Sequence, residues 1–259
     1  LGIITKVSLL CPIKPTVQTV GLFSLTSFGN ILKAFYGFKK ELSEFISAFE
    51  MMDSVSVDAV VNNLKLPQPF KDRQNFYILI ELSSNDGSQV DNKLTQVLER
   101  MMTEEIIVDG TFSSELTNMK KLWSYRERIA EALMKDGCTY KYDVSIPLDV
   151  FYEIVEIMRL RINVSSCMKV CGYGHMGDCN LHLNITSKQF DKQILNLIEP
   201  YVFEYVSQKN GSISAEHGIG MKKREFLHYS KSKEAIHLMK EIKKLFDPNN
   251  ILNPHKVLP

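Results

Sequence analysis

Apolar and polar positions follow two periods along the chain. Alternating or continuous short apolar runs predict strands over 18–24, 47–53, 76–82, 105–113, 138–147, 167–174, 180–186 and 211–216. Between them, apolar residues three and four apart predict helices over 30–42, 54–63, 90–102, 114–137, 148–162, 187–209 and 232–246. FYILIEL at 76–82 is the clearest buried strand. Ser114 and Gly137 bracket one long helix as cap and stop, and Phe246-Asp247-Pro248 ends the last one. LKLPQPFKDRQ at 64–74 is a polar loop with prolines, and the tail NNILNPHKVLP is too rich in Pro and Asn for a helix. The opening LGIITKVSLLCPIKP reads as a strand running into a turn bounded by proline, so the chain reads as a piece of something longer.

Short strands alternating with helices, several of them hairpin neighbours, predict an α+β class. The expected architecture is an antiparallel sheet with helices packed mainly on one face. No internal sequence repeat or low-complexity tract interrupts it.

Composition narrows the field. The chain has 259 residues, 44% hydrophobic and 24% charged, with 31 basic and 30 acidic side chains and a net charge of +1. That balance points to no nucleic acid and no anionic membrane as partner. No apolar run approaches the ~20 residues of a membrane span. The five cysteines, Cys11, Cys138, Cys167, Cys171 and Cys179, are odd in number and irregularly spaced. They argue against a disulfide framework and for a reducing compartment. Asn163-Val-Ser165 and Asn184-Ile-Thr186 match the glycosylation pattern, which in that setting reads as chance.

Candidate chemistry concentrates in two stretches. In YGHMGDCNLHLN (173–184), Gly177-Asp178 marks a hairpin turn. On the returning strand Asn180, His182 and Asn184 share one face, and Leu181, Leu183 and Ile185 the other. His175 precedes the turn and can fold back beside His182, and two such imidazoles form half of a metal site. On spacing alone, two histidines seven residues apart are more often unrelated. The second stretch is SISAEHGIGMKKRE (212–225), where Glu216 and His217 sit at a strand end before Gly218 and Gly220. Glu216 would complete a His, His, Glu set with open positions, and His217 would stand beside it as a general base. Arg126, three residues after the lone tryptophan Trp123, and Lys141, between two tyrosines, read from pattern alone as a solvated helix face and an edge-strand lysine. Their alternative is a pair of cations clamping a carboxylate substrate. His228, His237 and His255 read as structural or surface residues.

YGHMGDCNLHLNI, ISAEHGIGMKKREFL and FDPNNILNPHKVLP together resemble the C-terminal part of FAD-linked oxidases of the vanillyl-alcohol oxidase type. LGIIT, SAFEMMD, FYILIE, LWSYRERI and YKYDVS fit the same family in the same order, so the resemblance spans the chain. It implies ferredoxin-like repeats, with residues 1–15 as the end of an FAD-binding domain and 16–259 as the substrate-binding domain. It implies a zinc site at His175, His182 and Glu216 and a catalytic base at His217. Arg126 and Lys141 would hold substrate carboxylates, Asn184 would touch substrate, and Asn253 would lie near the flavin. The implied activity is FAD-dependent, zinc-assisted oxidation of D-2-hydroxyglutarate to 2-oxoglutarate in the mitochondrial matrix, with electron-transfer flavoprotein as acceptor. D-lactate is the alternative substrate, and a non-catalytic module binding metal or dicarboxylate is the alternative outside enzymology.

Two positions depart from the family pattern. Cys179 stands where the family commonly has Gly, so it is strained if the turn needs a positive φ, and otherwise it is a thiol near the metal. Ala130 stands where the nearest relatives tend to have Thr.

Overall fold

The computed structural model describes residues 2–259. Its strands are β1 (Val17–Leu25), β2 (Ile46–Asp53), β3 (Phe76–Ser84), β4 (Asp109–Ser113), β5 (Cys138–Ser145), β6 (Cys167–His175) and β7 (Asn180–Ser187). The helices are α1 (Phe28–Leu42), α2 (Ser54–Leu64), α3 (Gly87–Thr103), α4 (Leu116–Glu127), α5 (Ile129–Met134), α6 (Glu153–Arg161), α7 (Lys192–Ile198), α8 (Tyr201–Gln208) and α9 (Lys233–Phe246).

The strands form one sheet in the order β4-β1-β3-β2-β6-β7-β5, and every neighbouring pair is antiparallel. The first four, ordered β4-β1-β3-β2, are a ferredoxin-like unit with α2 as an added helix. The second unit runs β5, α6, β6, β7, α7 and α8, with strands ordered β6-β7-β5. Its fourth strand is reduced to one bridge between Ser145 and Ser212. The units join edge to edge where β2 meets β6, and that seam sets Glu50 opposite His175.

Both faces of the sheet are covered. One core packs the β-strands against α1, α3, α6, α7 and α8, and includes Phe38, Met51, Ile78, Leu183 and Phe203. A second core under α2, α4 and α5 contains Met52, Val57, Leu79, Ile129 and Cys171. α1 shows the local logic: Ser27 caps it by accepting from the Asn30 N–H, and Ile31, Ala34, Phe35, Phe38 and Leu42 form its buried stripe.

A buried acid stitches the two units. Asp53 caps α2 through the Ser56 N–H and also accepts from the Tyr152 hydroxyl, the Arg159 guanidinium and the Gly172 N–H, each at 2.7–2.8 Å. The hairpin between β6 and β7 needs glycine at Gly174, where an added Cβ would fall 2.0 Å from the Asn180 carbonyl oxygen.

Five predicted elements differ. Residues 2–15 are extended coil, because among the described residues no strand pairs with them; Leu1 of the predicted strand lies outside the described residues. The helix predicted over 114–137 breaks at Arg128 into α4 and α5, and the one over 187–209 breaks at Pro200, which has no N–H to continue the ladder. The helix over 148–162 begins as a separate 3-10 turn at Leu148–Val150. The strand over 211–216 survives only at Ser212, because the N–H groups of Glu216 and His217 go to the Asp143 side chain instead of a ladder.

Candidate functional site

The site is built on the sheet face under α4. Pairing of β6 with β7 sets Tyr173 opposite His182 and His175 opposite Asn180, so the two histidines become diagonal neighbours across the hairpin. Their rings lie 5.3 Å apart at 81°. Asn180, His182 and Asn184 share this face as the alternation predicts, but they are buried, with Leu181, Leu183 and Ile185 buried behind them. Burial of Asn184 also takes its glycosylation-like motif out of reach. The turn is closed by Cys179 at φ +55, the left-handed region that favours glycine. Burial raises the Cys179 thiol pKa, and its sulfur is not among the clustered ligand atoms.

The bend after Ser212 supplies the next groups. Asp143 on β5 accepts from the N–H of His217 at 2.8 Å, the N–H of Glu216 at 3.1 Å and the Ser214 hydroxyl at 3.3 Å, all on Oδ2. Gly218 and Gly220 at φ +80 and +54 let the chain turn away afterwards. This geometry carries the Glu216 carboxylate in among three imidazoles. Its Oε1 is 3.4 Å from His182 Nε2, 3.7 Å from His217 Nε2 and 3.8 Å from His175 Nε2. The His182 and His217 rings stack at 5.7 Å.

Arg126 from α4 roofs the cluster and is buried, so its helix face is not the solvated one that the pattern alone suggests. Its guanidinium lies over the Tyr173 ring at 4.8 Å, donates from Nε to Glu50 Oε2 at 2.7 Å, and comes within 3.3 Å of His175 Nε2. Glu50 accepts from His175 Nδ1 on its other oxygen at 2.7 Å. Trp123, one turn before Arg126, donates to Glu81 and tacks α4 to β3. Lys141 is exposed on the same sheet face, opposite Asn184 in the β5–β7 register. Ala130 is half-buried four residues beyond Arg126.

Charge and burial divide the imidazoles. Burial, then the nearby Arg126 cation, pushes the His182 pKa down to about 4, so its ring is neutral at physiological pH. The hydrogen bond to Glu50 outweighs burial at His175 and raises its pKa. At Asp143 burial pulls upward, but the N–H groups of His217 and Glu216 and the nearby cations win, and the carboxyl stays below its ordinary range. Burial raises the Tyr173 phenol to about 12.

These donors fit a divalent ion. Two donors on a tetrahedral ion at ~2.1 Å stand roughly 3.4 Å apart, and the Glu216 to imidazole distances run from 3.4 to 3.8 Å. Asp143, His182, Glu216 and His217 each offer a ligand atom, all within 4.8 Å of one another; the expected ligand His175 is not in that set and reaches it only through Glu216, at 3.8 Å. Asp143 Oδ1 is buried without a hydrogen-bond partner, 4.0 Å from His182 Nδ1. Asp143 already spends Oδ2 on the bend, whereas the Nε2 atoms of His175 and His182 both face Glu216.

Asn253 is not brought into this cluster. It lines a separate cleft of about 500 Å³ with Ile3, Lys243, Phe246, Leu252 and Lys256. Its polar groups are the Asn253 amide, the Lys256 ammonium and Asp247, whose carboxylate pairs with Lys243. The tail from that cleft returns to the site loop, where the Val257 N–H donates to the Gly220 carbonyl. Glu50 and Asp143 are the residues that sequence reasoning missed. Each is a lone acid inside an apolar strand, in FEMM and YDV, and that isolation was the available signal.

Fold and site define a class: a two-unit ferredoxin-like α+β domain that carries a cluster of imidazoles and acids under a buried arginine. The chain belongs to the family described as FAD linked oxidases, C-terminal domain, whose model matches residues 14–257. It is 47% identical over its whole length to a mitochondrial D-2-hydroxyglutarate dehydrogenase of Danio rerio, covering 48% of that protein. It is 43% identical over 99% of its length to a putative mitochondrial D-lactate dehydrogenase of Schizosaccharomyces pombe, covering 51% of it. The chain thus spans about half the length of the curated relatives it matches. Among solved structures, p-cresol methylhydroxylase with substrate bound shares the fold at a TM-score of 0.62 and 11% identity, over 94% of this chain and 53% of that one. Among the described residues, no helix is long and apolar enough to cross a membrane.

Proposed function

We propose that this chain is the substrate-handling half of a zinc-assisted, FAD-linked dehydrogenase that oxidises D-2-hydroxyglutarate to 2-oxoglutarate. The reading rests on one observation: Glu216 Oε1 stands 3.4–3.8 Å from three imidazole nitrogens beneath a buried arginine. The names of the relatives, D-2-hydroxyglutarate and D-lactate dehydrogenases designated mitochondrial, support the substrate class and a mitochondrial setting. The matrix as location and electron-transfer flavoprotein as acceptor belong to the same proposal.

His175, His182 and Glu216 would hold the ion, and Asn253 would meet the flavin. When bound, the ion supplies Lewis-acid polarisation of the 2-hydroxyl and the flavin supplies a hydride acceptor. The chain's own residues do the rest. His217, more than half exposed, takes the hydroxyl proton. Asp143, 3.9 Å from His217 Nδ1, favours the tautomer that leaves Nε2 as the base. Arg126 binds one substrate carboxylate with the guanidinium nitrogens that Glu50 does not occupy, and Lys141 binds the other. Buried Tyr173, His182 and Asn184 keep water from the floor of the site.

Two cations on one face favour a diacid over a monoacid. The test compares initial rates of the complete flavoprotein on D-2-hydroxyglutarate and D-lactate. The expected result is a kcat/KM at least ~10-fold higher for the diacid, one extra charge-assisted contact being worth about 1.5–3 kcal/mol. Equal values would remove the diacid assignment.

A further inference from the structure

We propose that Glu50 is a positioning residue that serves both halves of the site: one carboxylate oxygen orients His175 for metal binding, and the other holds Arg126 for the substrate carboxylate. The inference rests on the metal-site reading above.

The tautomer of His175 follows from its partners. A guanidinium can only donate, so the Arg126 nitrogen 3.3 Å from His175 Nε2 requires Nε2 to carry a lone pair. The proton is then on Nδ1 and is donated to Glu50 Oε1 at 2.7 Å. That leaves the Nε2 lone pair as the one ligating position; it accepts from Arg126 in this structure and lies 3.8 Å from Glu216, so a metal bound there takes the place of the Arg126 contact. A carboxylate behind a ligating imidazole fixes its tautomer and raises its basicity.

The second oxygen acts on Arg126. It accepts from Nε at 2.7 Å, while the Tyr173 ring supports the guanidinium from one side at 4.8 Å. Arg126 is thereby held in place; Nη1 remains for an anion, and Nη2, on His175 here, joins it when a metal takes that lone pair. Glu50 is itself buried, set by the β2–β6 seam, so its position is fixed by the sheet. Asp143 also serves candidate site residues, but through the backbone N–H groups of Glu216 and His217. Asp53 holds scaffold groups, and Asp136 accepts from Lys169, Thr186 and Asn63, none of them a candidate site residue. Both partners of Glu50 are candidate site residues.

The test measures zinc affinity of the full chain by competition with a chromophoric chelator, with folding followed by circular dichroism. The proteins are wild type, Glu50→Gln, Arg126→Met and the double variant. Loss of the carboxylate behind His175 is expected to weaken zinc about 10–100-fold. Arg126→Met removes a cation beside the ligating nitrogen and binds zinc no more weakly than wild type. The double variant stays about 10–100-fold weaker than Arg126→Met, and this pair decides the question if Glu50→Gln alone does not fold. Unchanged affinity in Glu50→Gln overturns the inference. So does a loss that vanishes in the Arg126→Met background, since Glu50 would then be only a counter-ion to Arg126. Failure of the wild type to bind zinc instead overturns the metal site itself and this inference with it. In the complete flavoprotein Glu50→Gln also raises KM for the 2-hydroxy acid, and an unchanged KM contradicts the hold on Arg126.

Discussion

Replacing Asp143 by Asn separates the roles of its two oxygens. Oδ2 accepts three hydrogen bonds, from Glu216, His217 and Ser214, that form the bend. Bonds to a charged acceptor are worth about 1.5–3 kcal/mol and neutral ones about 0.5–1.5 kcal/mol. The amide oxygen can keep all three, so the loss is roughly 1 kcal/mol for each of the two short backbone bonds, and about 2 kcal/mol in total. Oδ1 has no partner and lies 4.0 Å from His182 Nδ1. In the variant that position becomes an NH2 donor. Donation to Nδ1 moves the ring proton to Nε2, the nitrogen facing Glu216, and removes it as a ligand. The prediction is a folded protein, about 2 kcal/mol less stable in urea, that binds zinc at least ~10-fold more weakly. A variant with wild-type zinc affinity would refute the assigned orientation of His182, and an unchanged urea midpoint would refute the role of Oδ2 in the bend.

Three further outcomes are expected. Asp53→Ala strands Arg159 and the Tyr152 hydroxyl at the junction of the two units and is expected to lower stability by about 3–5 kcal/mol in urea denaturation; a loss under ~1 kcal/mol would contradict the stitch. Cys179→Gly relieves a left-handed residue and is expected to raise stability by about 1 kcal/mol, against which a lower melting temperature would count. In the metal-free chain His182 has a pKa near 4 against the ordinary 6.5, so its neutral form contributes stability above pH 6.5 that is lost as pH falls toward 4. The shift corresponds to on the order of 3 kcal/mol. The raised pKa of His175 acts in the opposite sense and only above pH 6.5, where its contribution fades as pH rises. The stability difference between wild type and His182→Asn should therefore shrink from pH 6.5 to 4, and a constant difference would contradict the burial argument.

What was legible in the sequence is what local periodicity controls. Strict alternation in NLHLNI put Asn180, His182 and Asn184 on one face, and Gly177-Asp178 marked the turn that returns His175 beside His182. The Glu216-His217 pair was visible as chemistry ahead of two glycines. The support of the site was not legible, because it comes from contacts between distant segments. Glu50 reaches His175 across 125 residues and Arg126 across 76, through a seam between two units that no local pattern announces. Asp143 diverts the N–H groups at Glu216 and His217, which is why an alternating stretch gave a bend and not a strand. Arg126 read as a solvated cation because helix periodicity does not report what packs over a face; the aromatic and the acid beneath it come from β6 and β2.

The central claim is that His175, His182 and Glu216 share one ion. Elemental analysis of the chain after exhaustive gel filtration tests it most directly. The account predicts about one zinc per wild-type chain and none in His182→Ala or Glu216→Ala. Zinc-free wild type, or variants that keep the metal, would contradict it.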